Sequence, residues 1–133
     1  MTEPFLPLPT DADLLAMARE LVGAANQRQT WLFVLDHEQR CGEAIILEGV
    51  PVDPDPVDVA TLAVRLTELV EGLPDAESVV LVWERHGSAE VRMQEADWIA
   101  GLAASGAPVR AQLLASDDGV HLVDPAFAAL VAG

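Results

Sequence analysis

The chain of 133 residues has no lysine, a single cysteine and no long apolar run, and each shortage excludes something. Cys41 alone forms neither an internal disulfide nor a thiolate zinc site, so any metal here would rest on histidine and carboxylates. No stretch approaches the roughly 20 consecutive apolar residues that span a bilayer. Met1-Thr2-Glu3-Pro4 offers neither the basic nor the apolar segment of a signal peptide, and a soluble cytoplasmic protein without a membrane partner is expected. Positive charge is confined to seven arginines, Arg19, Arg28, Arg40, Arg65, Arg85, Arg92 and Arg110, set against 22 acidic residues for a formal net charge of −15. Nucleic-acid binding needs a basic footprint that displaces counterions from phosphates, and these scattered arginines form none. No nucleic-acid partner is expected. Electrostatics leaves a basic partner, or an uncharged one.

What is present is ordinary for a globular domain: 51% hydrophobic and 22% charged residues. The length suits one domain with its own core. Residues 1–10 carry Pro4, Pro7 and Pro9 and read as a tail, with a single domain over 11–133. Thr10 and Asp11 cap a segment with Leu14, Leu15, Ala18, Leu21, Val22 and Ala25 at helical spacing, which predicts a helix over 11–26. Trp31 to Leu35 and Ala44 to Leu47 are apolar runs around a polar stretch, the pattern of an antiparallel hairpin. Three prolines between Gly49 and Pro56 make a surface connection into a helix over 57–72, which Gly72 and Pro74 end. Val79 to Trp83 is continuously apolar, as a strand buried on both faces reads, and it is expected at the sheet's centre. A helix over 95–104, strands over 108–115 and 119–123, and a last apolar turn from Pro125 to Val131 complete the order α-β-β-α-β-α-β-β. The fold class is α/β (α+β): a mixed sheet of about five strands flanked by helices.

Ligands in such sheets gather beyond the carboxyl ends of strands, and the most polar strand end is Glu84-Arg85-His86-Gly87-Ser88. Glu84 and His86 stand two apart on extended backbone and therefore share a face. Asp97, near the start of the next helix, is the third candidate of a site that zinc or manganese accepts through imidazole nitrogen and carboxylate oxygen. Trp31, Trp83 and Trp98 read as core or rim packing, and Cys41 as an inert thiol.

In spacing and element order the chain resembles the JAB/MPN metalloprotease family, above all its RadC-like branch. That family carries His-x-His at the end of the central strand, then a Ser, then a metal-binding Asp at fixed distance. Glu84-Arg85-His86, Gln94 and Asp97 fall on those places without a gap. Leu35-Asp36, Glu43, Gly49 and Pro54 or Pro56 match the branch's upstream features in order, and Leu113 to Gly119 its final hairpin. The resemblance runs over about 30–124 and implies the JAB/MPN, cytidine deaminase-like architecture.

In the family, zinc acidifies a water, an upstream glutamate takes its proton and the serine hydroxyl stabilises the oxyanion. The resemblance gives the metal places to Glu84, His86 and Asp97, the base to Glu43 and the serine place to Gln94. Glu84 replaces the first histidine and Gln94 lacks the hydroxyl, a loss expected to cost on the order of a hundredfold in rate. The expected function is therefore a catalytically inactive RadC/JAB-like domain acting as a binding or structural module, with a protein partner and no cofactor. The alternative is a zinc-dependent peptidase, isopeptidase or amide hydrolase using those variant residues. A monomer, or a weak homodimer through a sheet edge at 44–47 or 119–123, is expected.

Overall fold

The computed structural model describes residues 10–132, with the side chain of Glu43 outside that description, as is nearly all of the expected tail. Its first element shows how local chemistry sets a boundary. The Thr10 hydroxyl accepts from Asp13 N–H and the Asp13 carboxylate accepts from Thr10 N–H, a capping box that starts α1 (Asp11–Leu21). Leu14 and Ala18 are fully buried on its inner face. The helix ends five residues before the expected 26, because Gly23 adopts φ +69° and turns its N–H back to the Ala18 carbonyl.

The chain then forms β1 (Gln29–Asp36) and β2 (Cys41–Leu47), an antiparallel hairpin as the apolar runs predict. Asp55 caps α2 (Pro56–Gly72), with Pro56 in the first turn where its missing N–H costs nothing. After β3 (Ala76–Glu84) come α3 (Met93–Ala104), β4 (Val109–Ser116), β5 (Gly119–Leu122) and α4 (Pro125–Ala132). The five strands make one mixed sheet in the order β2-β1-β3-β4-β5, with only β3 and β4 parallel. The expected central strand, β3, is the central one, and β2 and β5 are the edges. Among the described residues no helix is long and apolar enough to cross a membrane.

Side-chain alternation along β3 divides the core. Val79, Leu81 and Trp83 face α2, α3 and α4, where they pack with Leu66, Ile99 and Leu102. Val80 and Val82 face α1 and pack with Leu14, Phe33 and Leu113. Trp83 and Trp98 stack 5.5 Å apart in the first layer, so both are core residues, and Trp31 stacks on Phe33 in the second. Gly101 lets α2 and α3 approach closely: a Cβ there would stand 2.7 Å from Val59 Cγ1. Cys41 is buried in the α1-side layer.

Candidate functional site

The apolar run of β3 ends on a carboxylate. Glu84 has the parity of Val80 and Val82, so its side chain turns to the α1 side of the sheet, where it is 3% exposed. There it accepts four hydrogen bonds: from Asn26 N–H at 2.6 Å, Gln27 N–H at 3.1 Å, Gln29 Nε2 at 2.8 Å and Trp31 Nε1 at 2.7 Å. Burial raises the pKa of Glu84, and the bonds from Trp31, Asn26, Gln29 and Gln27 outweigh it, leaving the carboxyl below its ordinary value of 4.5. The carboxylate pins the α1–β1 loop to the central strand.

His86, two residues on, points to the same side. Its Nδ1 lies 2.8 Å from Asp117 Oδ1 in the β4–β5 turn, and its Nε2 lies 3.0 Å from the Asn26 carbonyl. Both partners are acceptors only, so both bonds form together only when the ring carries two protons. Gly87, at φ +106°, donates its N–H to Asp117 Oδ2 and accepts from Asp117 N–H, closing the junction of three loops. The bond to Asp117, then that to Asn26, raises the His86 pKa above 6.5; the same His86 bond, then that from Gly87, holds Asp117 below 3.8.

A pH signature follows. A raised imidazole pKa contributes stability that is complete below 6.5 and is lost as pH rises through the folded value; a lowered carboxyl pKa contributes above 3.8 and is lost as pH falls through its folded value. The midpoint difference between the wild type and His86→Ala is therefore greatest in mild acid and shrinks in alkali. Calorimetry from about pH 4 to about pH 9 reads it, and a difference independent of pH would contradict this assignment.

Arg85, between these two, has the opposite parity and faces α3. It is 6% exposed, forks onto Glu95 through Nε and Nη2, and donates to the carbonyls of His86, Ser88 and Glu90. One guanidinium thus fills the β3–α3 loop and ties it to the first turn of α3. Glu95 also accepts from Arg92 N–H, which fixes where α3 begins.

The sequence-derived candidates separate in space. Glu84 and His86 share a face and meet the same residue, Asn26, as their spacing predicts. Asp97 stands on α3, which packs against the other face of the sheet. The Glu43 backbone pairs with Val34, and through it lines up with Val79, five residues before Glu84 or about 16 Å along the strand. Its side chain lies outside the description. Gln94 lines the cleft described next. Among the described residues no group of three or more His, Cys, Asp or Glu side chains is placed to hold a metal ion. As arranged, the three metal-place residues do not fit zinc: the Glu84 oxygens and both His86 nitrogens are engaged within the protein, and Asp97 is across the sheet.

Asn26, Gln27, Gln29, Asp117 and Arg85 carry much of this arrangement and were not among the candidates. Arg85 alone left a sequence signal, an arginine interrupting the approach from a buried strand to its loop.

Beside Arg85 a cleft of about 140 Å³ opens at the carboxyl end of β3. Arg28, Arg92, Gln29 and Gln94 contribute polar groups, and Val52 and Trp98 contribute apolar wall. Comparison with protein-family models, with curated proteins and with solved structures finds no match.

Proposed function

We propose that this chain is a catalytically inactive domain of JAB/MPN-like, RadC-like architecture that acts in the cytoplasm by binding a protein partner. Support for the architecture is the order α-β-β-α-β-α-β-β, followed by α4, around a central strand whose carboxyl end runs into Glu84-Arg85-His86. The observation that carries the inactive reading is the Glu84 carboxylate: at a metal-ligand place, it is occupied by four donors of its own chain. Gln94 at the serine place agrees with it, since an amide lacks the hydroxyl that the family's chemistry uses. The strands β2 and β5 are the sheet's edges, and since the Val120 carbonyl of β5 already accepts from Arg19 Nε, β2 is the edge better suited to a partner strand or a second copy.

The test is thermal unfolding of chelator-treated protein with added zinc or manganese, for the wild type and His86→Ala. A ligand at a hundred times its Kd adds about 2.7 kcal/mol to the native state, a readily measured rise in midpoint. No rise is expected at metal concentrations well above micromolar. A rise that disappears in His86→Ala would favour the metal-dependent hydrolase, with Glu84, His86 and Asp97 rearranged as ligands and Glu43 as base.

A further inference from the structure

We propose that the cleft at the carboxyl end of β3 receives a carboxylate on a short apolar stem, gripped by the guanidinium groups of Arg28 and Arg92. The first argument is an anomaly of charge pairing. Carboxylates outnumber arginines 22 to 7, yet only Arg40, Arg85 and Arg110 make ion pairs among the described residues. Of the four others, two line this one cleft. Arg28 makes one bond, to the Val50 carbonyl at 3.3 Å, and Arg92 one at 3.5 Å to the His86 carbonyl. A guanidinium has five donors, so each keeps most of its fork for a ligand.

The cleft's own charges set the ligand's charge. Arg85 and Glu95 cancel within the wall, and the Glu84 carboxylate is turned to the α1 side, where its own four donors hold it. Arg28 and Arg92 therefore leave the cleft positive, which suits an anion. The apolar wall of Val52 and Trp98 favours an anion that carries an apolar stem over inorganic phosphate. A cavity of about 150 Å³ admits a benzene ring, so this volume has room for a carboxylate and a few methylenes. Val52 and Trp98 would cover the stem, while Gln94 offers an amide beside the head group.

The inference rests on the binding-module reading only in treating the cleft as a recognition site. The experiment is a titration of ¹⁵N-labelled protein, followed by amide and arginine side-chain resonances, with sodium butyrate, a short peptide ending in a free carboxylate, its C-terminal amide, and inorganic phosphate. Saturable shifts centred on the cleft are expected with butyrate or the free-acid peptide and not with the amide. Whichever acid binds more tightly identifies the source, a small metabolite or a chain terminus. Arg28→Gln and Arg92→Gln should each weaken binding about tenfold, whereas Arg65→Gln, an unpaired arginine outside the cleft, should leave it unchanged. Both cleft arginines are exposed, so the variants keep the wild-type midpoint. Absence of saturable shifts, equal response in all three variants, or tighter binding of phosphate would overturn the proposal. A zinc-dependent midpoint rise would overturn only the inactive reading.

Discussion

Glu84→Ala lowers the unfolding free energy by about 3 kcal/mol or more, a large fraction of what holds a domain of this size together. The loss comes less from the missing attraction than from what remains. Asn26 N–H, Gln27 N–H, Gln29 Nε2 and Trp31 Nε1 lose a shared acceptor in a place that is 3% exposed. Each orphaned buried donor costs about 1–3 kcal/mol unless water enters, and the α1–β1 loop can move to let water reach some of them. Glu84→Gln keeps one acceptor oxygen but turns an amide NH₂ toward donors, so it loses an intermediate amount. Urea unfolding checks both variants. A loss below about 1 kcal/mol for alanine would show that the carboxylate does not organise the loop.

Arg85→Ala is expected to cost about 3–5 kcal/mol, the range for removing one partner of a buried ion pair. It leaves Glu95, whose side chain is 13% exposed, with the Arg92 N–H but no countercharge, and takes from the carbonyls of His86, Ser88 and Glu90 their shared donor. Arg85→Lys does not restore stability, because an ammonium cannot make the planar fork to both Glu95 oxygens and still reach three carbonyls. Combining Arg85→Ala with Glu95→Gln removes the stranded charge. The cycle should show a coupling of about 1–3 kcal/mol, and additive losses would mean that the pair is not the source of the effect.

The parts of the fold that were legible are those in which local pattern and burial agree. Val79 to Trp83 is apolar without interruption because both sheet faces are covered, and β3 is central for that reason. The strand ends were less legible: Gln29 and Glu84 pair with each other at the rim, where the apolar pattern has stopped but the hydrogen-bond ladder continues. Helical spacing also carried α1 too far. Ala25 fits the period, yet Gly23 ends the helix, and the freed backbone of Asn26 and Gln27 then serves Glu84. No local pattern shows a bond across 58 residues.

At the site, the two-residue spacing placed Glu84 and His86 on one face, and the structure has them there. The spacing to Asp97 says nothing of which side of the sheet α3 covers. Arg85 shows that side: with the alternate parity, it is the residue that reaches α3. Its pairing with Glu95 depends on a loop that curls around the guanidinium itself, which composition and period do not encode.

The inactive reading comes down to one carboxylate, and the zinc experiment is most direct when read there. The measurement is the side-chain carboxyl ¹³C resonance of Glu84, followed through an acid titration with and without saturating zinc. The Glu84 carboxyl is expected to titrate below the ordinary glutamate value of 4.5 and to stay unmoved by zinc, since four donors already hold both oxygens. A Glu84 resonance that shifts on adding zinc, together with those of His86 and Asp97, would contradict the inactive reading and establish a metal centre in place of a structural clasp.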